Sequence, residues 1–415
     1  LKLPSMPERK NSESSSGSSG DEEPDQTLAN DLVVTKYGTA ADIVNSTLKA
    51  LICEIKEGVE VSSLCDFGDK MLADKTSKIF KKEKNMPKGI AMPTCISINN
   101  TICHFSPLRS DAPVKLEKGQ VVKIDLGAHI DGFIATAAHT VVVGASKTEP
   151  ADEKTSNLIK GAYDALEVGV RSLRLGTKNM DITANIDKVA EQYGVKPIEN
   201  MVSHQLERNK IDGEKQIMQN PGEKQKGEVE KCTIDKHEAY AIDVLFTTGE
   251  GKAKDLDTRT TVFKKSDEVV YQLKMKASRT FLSDATSKFG TMPFSLRAFE
   301  DEVKAKMGVV ECERHGLMRP YQVLYEKEGE LVAQFKATVL VMPNGLLKIA
   351  GLPLDIDSLA PTKKLEDATL VAKLKEPLKP KKKPAEGEKK AEEGEKKEEK
   401  KEEKKADDSK KKSKK

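Results

Sequence analysis

The 415-residue sequence lacks several features that would place it in common functional classes. It has no tryptophan, and it contains neither a P-loop nor a G-x-G-x-x-G segment, which excludes the phosphate-binding loops of many nucleotide-dependent proteins. No apolar run approaches the roughly 20 residues that a membrane-spanning helix needs. The six cysteines form no C-x-x-C pair, so we expect reduced thiols in a cytosolic or nuclear protein.

The chain is also poor in apolar residues for its length. Charged residues make up 33% of it, and the mean hydropathy is −0.55, so part of the chain is expected to build no core. The Ser/Gly-rich residues 1–24 predict a disordered leader, and the Lys/Glu-rich residues 371–415 predict a disordered tail. A folded domain over residues 25–370 remains.

The tail concentrates positive charge. Residues 381–415 hold sixteen lysines and eleven acidic residues, whereas the whole chain has a net charge of only +3. Binding to phosphates releases counterions, so such a segment favours nucleic acid or another polyanion, although a tail that only keeps the protein in solution is an alternative. The candidate contacts, which could also serve nuclear import, are Lys381, Lys382, Lys383, Lys410, Lys411 and Lys412.

The most informative stretch is residues 121–143. Two runs rich in β-branched residues are joined by Asp131-Gly132, a strong signal for a β-hairpin. Strand alternation places Asp125 on the face opposite Ile124. From the residues alone, this carboxylate is either bonded to backbone amides near the turn or functional.

Helical spacing of apolar residues predicts two helices within residues 28–72, interrupted at Gly58, and a similar pair within residues 157–189, interrupted at Gly176. Strand-like runs follow each pair, which predicts an α+β fold with two related halves. Strands are predicted at residues 94–98, 196–204, 237–248, 321–325 and 331–341, and a surface loop at residues 205–235.

Residues 249–315 predict a charged segment with helices at about 269–289 and 296–314, which the family resemblance described below implies is an insertion. Between residues 249 and 280 there are eight basic and five acidic residues, which indicate either a solvated charged face or a polyanion-binding surface. Lys276 and Arg279 share one face of the predicted helix. The basic residues are Lys252, Lys254, Arg259, Lys264, Lys265, Lys274, Lys276 and Arg279.

The hairpin, followed by ENMVSHQ, YAIDVLFTTGEG and AQFKATVLVMPNG, resembles the pita-bread metallopeptidases of peptidase family M24, most nearly the type II methionine aminopeptidases. The resemblance implies a pita-bread (creatinase/aminopeptidase) fold with two pseudo-symmetric halves and a helical type II insertion. Family members hold two divalent ions with five side chains, whose positions fall here on Asp125, Thr136, His204, Asp243 and Lys336.

Two of these five positions depart from the pattern. Thr136 offers a neutral hydroxyl where the family has a carboxylate, and Lys336 offers an ammonium, which donates but cannot accept, in place of the bridging Glu. We expect Lys336 to pair with Asp125 or Asp243 and so to replace the metals electrostatically. The resemblance therefore implies a vestigial metal site with no catalytic residue, metal or cofactor.

The substrate pocket also changes. His104 matches a pocket histidine of the aminopeptidases, whereas the second substrate histidine falls on Asp212. His104 alone is equally compatible with a structural histidine. Two alternatives stay open: a one-metal aminopeptidase using Asp125, His204 and Asp243, and a peptide-binding module that keeps the cleft without cutting.

Further blocks, among them LVVTKYG, IFKKEK, CHFSPL, LRAFEDE and LYEKEGELVAQFK, resemble the proliferation-associated, ErbB-3-binding group. That resemblance implies a non-enzymatic ribonucleoprotein component that binds structured RNA and ribosomal RNA of the large ribosomal subunit near the peptide exit tunnel. It also implies a cytoplasmic and nucleolar protein that regulates translation and cell growth, with signalling or transcription proteins as further partners. No membrane insertion is expected.

Overall fold

The computed structural model describes residues 25–379. None of the helices in this range is both long enough and apolar enough to cross a membrane. The α-helices of this range are α1 Asp31–Glu54, α2 Val61–Ser77, α3 Glu153–Ser172, α4 Asn179–Tyr193, α5 Glu223–Glu228, α6 Lys276–Phe289, α7 Glu302–Arg314 and α8 Ala368–Lys375, with 3-10 turns at Leu296–Ala298 and Ile356–Ser358.

The strands belong to one large sheet and two small ones. They are β1 Lys88–Ile98, β2 Thr101–Cys103, β3 Val121–Ile130, β4 Phe133–Val142, β5 Lys196–Pro197, β6 Val202–Leu206, β7 Gln216–Met218, β8 Glu238–Thr247, β9 Lys254–Asp255, β10 Val262–Lys265, β11 Phe294–Ser295, β12 Met318–Tyr321, β13 Leu324–Tyr325, β14 Val332–Met342 and β15 Gly345–Ala350. The large sheet has the order β1-β3-β4-β14-β8-β6-β7, with β15 on β14 and β5 on β8.

The large sheet divides into the two related halves predicted from the sequence. Helices α1 and α2 pack on β1, β3 and β4, whereas α3 packs on β8 and β14 and α4 packs on α3 and the nearby strands. The halves meet where Lys336 of β14 pairs with Ala138 of β4. Each half has its own buried core, one around Leu48, Leu51, Leu72, Ile96 and Ile124, and the other around Leu158, Ile186, Tyr240, Phe246 and Phe335.

The predicted hairpin is confirmed as β3 and β4. Asp131 and Gly132 have φ angles of +54° and +79°, the left-handed geometry that a two-residue hairpin turn requires. A Cβ atom on Gly132 would lie 2.2 Å from Asn209 Oδ1, so glycine is also required sterically. The uninterrupted register from Ile130–Phe133 to Val121–Val142 then fixes which side chains share a face.

Both predicted helix pairs are present and break near the predicted glycines, although the second helix of each pair extends beyond the predicted end, to Ser77 and Tyr193. Asn30 caps α1 by accepting a hydrogen bond from the backbone N–H of Leu32. The chain leaves α1 toward Gly58, whose φ is +80°, and α4 ends at Gly194, whose φ is +66°. Such a left-handed position is accessible to glycine at little cost, which is why α4 stops at Gly194, whereas α1 already ends at Glu54, before Gly58.

The insertion folds around a separate small core. Strands β10, β11 and β12 form a three-stranded sheet, against which α6 and α7 bury Phe263, Phe281, Phe294, Phe299 and Cys312. It is tied to the first half by Arg297, whose side chain is 1% exposed and whose guanidinium contacts Asp69 at 2.5 Å.

Three expectations about the elements need correction. Helix α6 begins at Lys276 rather than near residue 269, because the amides of Lys274 and Met275 donate to the Glu311 carboxylate instead of entering a helix. The helix predicted over residues 296–314 is interrupted before α7, where Asp301 caps the new start by accepting from the Lys304 amide. Residues 205–235 include strand β7 with its buried Ile217, as well as α5, and are not only surface loop.

Candidate functional site

A cavity of about 240 Å³ opens on one face of the large sheet. Six of the seven positions predicted for the metal and substrate sites line it: His104, Thr136, His204, Asp212, Asp243 and Lys336. The seventh, Asp125, contacts Lys336 of β14 from strand β3, on the far side of β4. The structure therefore brings all seven positions together, although they are spread from residue 104 to residue 336.

Strand register explains how three charged side chains meet here. Asp125 on β3 is opposite Ala138 on β4, Ala138 is opposite Lys336 on β14, and Lys336 is opposite Asp243 on β8. Residues paired across strands project from the same face of a sheet. The small Ala138 leaves the space above β4 free, so the Lys336 side chain can extend across it toward Asp125.

The result is a buried group of three charges, which we call the ion triad: Asp125, Asp243 and Lys336. Lys336 Nζ lies 2.6 Å from Asp125 Oδ2 and 3.0 Å from Asp243 Oδ2. The three side chains are only 4%, 14% and 12% exposed, in that order. The predicted pairing of Lys336 with one of the two carboxylates agrees with this geometry, which shows contacts to both.

Burial and charge shape the protonation of the triad. Burial alone would lower the pKa of Lys336, but its attraction to Asp125 and Asp243 raises that pKa above the ordinary lysine value, so the ammonium is charged at neutral pH. Burial raises the pKa of Asp243, and the nearby Asp125 charge adds to the effect, whereas Lys336 opposes it. Gln334 Nε2 also donates to both oxygens of Asp243, at 3.0 and 3.1 Å.

The remaining donors do not complete a metal site. Burial, together with the charge of Lys336, lowers the pKa of His204 to about 4, so this imidazole is neutral beside the ammonium. The buried Thr136 hydroxyl has no hydrogen-bond partner among the described residues. Within residues 25–379 there is no group of three or more His, Cys, Asp or Glu side chains arranged to hold a metal ion. With an ammonium at the bridging position, the residues present do not fit the two-metal centre that the fold implies.

The two substrate-pocket positions have other contacts. His104, at a φ of +63°, lies with Nδ1 3.1 Å from the carbonyl oxygen of Gln322 and its ring edge-on to Tyr321. Burial lowers the pKa of His104. Asp212 forms an ion pair with Lys264. His104 therefore lines the cavity while being held by backbone, whereas Asp212 is committed to a lysine.

The predicted basic contacts separate into four groups. Lys252, Lys254, Arg259, Lys274, Lys276 and Arg279 are exposed. Lys265 is partly buried and pairs with Asp267 at 3.0 Å. Lys264 is corrected: it is 8% exposed and neutralised by Asp212, so it is not available to a phosphate. Lys381, Lys382, Lys383, Lys410, Lys411 and Lys412 lie outside the described residues.

A further basic feature was not predicted. Residues 78–84, which join α2 to β1 and which we call the lysine turn, carry the exposed Lys78, Lys81, Lys82 and Lys84. None of the four forms an ion pair with another residue of the described range, 25–379. The sequence does contain a signal for this basic surface, since four lysines lie within seven residues around IFKKEK. That block indicated only the family resemblance in the sequence analysis.

Comparison with known proteins places the chain among named relatives. Residues 35–234 match Metallopeptidase family M24. ErbB-3 binding protein 1 of Arabidopsis thaliana is 42% identical over 88% of this chain and 92% of its own length. Proliferation-associated protein A of Dictyostelium discoideum is 38% identical over 85% and 90%, and the curved DNA-binding protein of Schizosaccharomyces pombe is 38% identical over 86% and 93%.

Among solved structures, that of a thermophilic Arx1 superposes with a TM-score of 0.79 at 30% sequence identity, covering 85% of this chain and 100% of that one. The sheet, the paired helices and the position of the cavity agree with the pita-bread fold expected from the sequence. The chain belongs to the proliferation-associated, ErbB-3-binding protein family, which shares the pita-bread fold of metallopeptidase family M24.

Proposed function

We propose that this protein is a non-catalytic scaffold that binds structured RNA and the large ribosomal subunit near the peptide exit tunnel. In this role it takes part in translation, ribosome biogenesis and growth regulation. The observation that carries the non-catalytic part is the Lys336 ammonium between Asp125 and Asp243. Two-metal hydrolysis needs carboxylates that bridge the ions, and the ion triad uses both remaining carboxylates to neutralise a lysine instead.

The size of the repulsion between Lys336 and a metal ion supports the interpretation of this site as vestigial. Two like unit charges about 4 Å apart repel by about 4 kcal/mol at an effective dielectric constant of about 20, and a divalent ion roughly doubles this. A metal ion entering beside Lys336 would meet that repulsion and would have to break two short contacts of the ammonium. The ammonium therefore adds a penalty to metal binding that a carboxylate at position 336 would not impose.

Exposed basic residues support the binding part of the proposal. The lysines of the lysine turn and the exposed basic contacts predicted in the insertion form no ion pairs among the described residues, so their charges are available to a partner. Contacts of this kind gain free energy from released counterions and recognise the phosphate backbone rather than base sequence. The name of the S. pombe relative, a curved DNA-binding protein, is in keeping with affinity for a nucleic-acid backbone.

The proposal extends to location and to protein partners. Ribosome biogenesis and translation call for a protein present in both the nucleolus and the cytoplasm. Relatives named for ErbB-3 binding support signalling proteins as additional partners. Transcription proteins are included in the proposal on the strength of the family resemblance.

Co-sedimentation with salt-washed large ribosomal subunits tests the binding proposal. The test variant carries Lys274→Glu and Lys276→Glu, and it leaves Arg279 intact because that guanidinium donates to the carbonyls of Leu273 and Lys274. The matched control carries the same charge change at two exposed lysines of the second half, Lys178→Glu and Lys188→Glu.

We expect the native chain and the control to co-sediment at low salt and to dissociate as salt rises, with the test variant already lost at low salt. A second variant, Lys81→Glu with Lys82→Glu, asks whether the lysine turn contributes. If the native chain stays in the supernatant at low salt, ribosome binding is refuted. If the test and control variants lost binding equally, the interaction would depend only on net charge. That result would refute a role for the insertion.

A second candidate function follows from the cavity beyond the ion triad. It keeps His104 and the neutral His204 in its wall, so an extended peptide N-terminus could be held there without cleavage. Fluorescence anisotropy with a labelled Met-initiated peptide and its N-acetylated form tests this. Binding that requires the free amine, with no product in the presence of Mn²⁺ or Co²⁺, is the expected result; cleavage would instead establish an aminopeptidase.

A further inference from the structure

A second cavity, of about 370 Å³, lies on the opposite face of the large sheet from the ion triad. Strand β4 contributes His139 and Val141 to its lining. His139 directly follows Ala138, which belongs to the triad row, and successive strand residues project to opposite faces. We call this space the seam cavity.

The seam cavity lies between the two halves of the fold. From the first half come Ile52, Cys53 and Ile55 at the end of α1, and from the second half comes Ile159 of α3. Residues 352–359 close the remaining side. Leu352 belongs to the core of the first half, whereas Leu354 and Leu359 pack against the core of the second, so a molecule bound here would touch both.

His139 has an unusual environment for a core histidine. It is 4% exposed, and its Nδ1 atom has no hydrogen-bond partner among residues 25–379. Its ring packs edge-on against Phe335, with centroids 5.1 Å apart. Buried polar groups are normally satisfied, as in the same hairpin, where His129 Nδ1 accepts from the Gly132 amide at 3.3 Å.

The protonation state of His139 defines what it can recognise. Burial, with a smaller contribution from the charge of Lys348, lowers its pKa to about 4, so the imidazole is neutral at physiological pH. A neutral imidazole has one donor and one acceptor nitrogen. It therefore suits an uncharged group such as an amide or a hydroxyl.

The walls indicate the rest of the ligand. The side chains of Ile52, Ile55, Ile159, Leu354 and Leu359 make most of the surface apolar, and the volume falls in the range of small-molecule sites in proteins. Lys56 and Asp355 also line the cavity, and as one charge of each sign they give it no net preference for an ion.

We propose that the seam cavity binds a small uncharged molecule, with an apolar body between the two halves of the fold and one hydrogen-bonding group on His139. The site is separate from the triad cavity and from the basic surfaces, so it does not depend on the proposed ribosome binding. It gives the protein a ligand-responsive contact between its two halves.

Disulfide tethering at Cys53 tests the proposal, because this thiol is exposed and lines the cavity. Cys65, Cys95, Cys103 and Cys312 are buried, and the half-buried Cys232 is replaced by Ser in all variants. The probe is the disulfide of N-(2-mercaptoethyl)benzamide. Two matched probes each lack one of the two groups that the cavity is proposed to recognise. N-acetylcysteamine has the amide without the ring, and 2-phenylethanethiol has the ring without the amide.

Intact-mass spectrometry measures the concentration of 2-mercaptoethanol that removes half of each label. We expect removal of half of the benzamide label to need about tenfold more reductant than removal of half of either matched label. In His139→Leu, the reductant concentration that removes half of the benzamide label should fall about fivefold, which is the effect of one hydrogen bond. The variant Leu359→Trp, which fills the cavity from a half-buried position, should abolish the advantage and covers the case in which His139→Leu does not fold.

Two results would overturn the proposal. Equal midpoints for the three labels on the native cavity would show that the space recognises nothing beyond the thiol. An advantage of the benzamide label that survives in both Leu359→Trp and His139→Leu would show that the ring binds elsewhere on the surface.

Discussion

Replacement of Lys336 by Met would test the ion triad directly. Methionine keeps much of the length and volume of the side chain but removes the ammonium from between Asp125 and Asp243, which are 4% and 14% exposed. Both carboxylates then lose their buried counter-charge. Removal of one partner from a buried ion pair costs about 3–5 kcal/mol, and we expect a loss of that size in the free energy of unfolding at neutral pH.

The loss should depend on pH in a defined direction. The pKa of Asp243 is raised by burial and by Asp125, and it should rise further without Lys336. A carboxyl with a raised pKa in the folded state costs stability above that pKa, and the cost disappears as the pH falls below the unfolded value. The stabilisation by Lys336 itself is fully present below the ordinary lysine value of 10.5. The deficit of the variant should therefore shrink between about pH 7 and about pH 4.

Reversible urea unfolding, followed by circular dichroism at several pH values, measures both effects. The matched control is Lys118→Met, since Lys118 pairs with Glu149 at 2.7 Å while both side chains are more than half exposed. An exposed pair contributes about 0–1 kcal/mol, so the control should change little. A deficit for Lys336→Met no larger than the control, or one that does not change with pH, would refute the account of the triad.

Three further predictions concern the site and its framework. Lys336→Glu combined with Thr136→Asp restores the family's carboxylates at these two positions. Titration calorimetry should then show Mn²⁺ binding that is absent from the native chain. A flat titration of the folded double variant would contradict the explanation that the Lys336 charge prevents metal binding. Arg297→Met should lower stability by about 3–5 kcal/mol in thermal unfolding, because the partly buried Asp69 keeps the hydrogen bond from the Thr94 amide but loses its counter-charge; a loss below about 1 kcal/mol would mean that the pair is screened. Gly132→Ala should cost about 1–3 kcal/mol at its φ of +79°, and an unchanged urea midpoint would argue against the left-handed turn.

Local patterns in the sequence were sufficient for much of the fold. Asp131-Gly132 predicted the central hairpin because few residue pairs adopt two left-handed conformations in succession. Gly58 and Gly176 marked the breaks within the helix pairs, since apolar periodicity stops where the helix does. The predicted start of α6 was wrong because two backbone amides just before the helix donate hydrogen bonds to Glu311. This residue lies 36 and 37 positions away in the chain, so local sequence could not reveal the contact.

The candidate site was less accessible to sequence reasoning. Family resemblance identified its seven positions, but charge alone could not distinguish Lys264, buried against Asp212, from the exposed Lys274. The lysines of the lysine turn are close together in the sequence, but they were not predicted to form a basic surface. The orphaned imidazole of His139 has no local signature, because burial and missing partners are properties of the packed molecule.

The sequence by itself determined the central hairpin and the two helix pairs, since turn geometry and apolar periodicity depend on neighbouring residues. It also determined that a lysine occupies a position where a metal site requires a carboxylate. Only the tertiary structure decided that this ammonium reaches both carboxylates, one of them 211 residues away, because the contact depends on the register of four strands and on the small Ala138 between them.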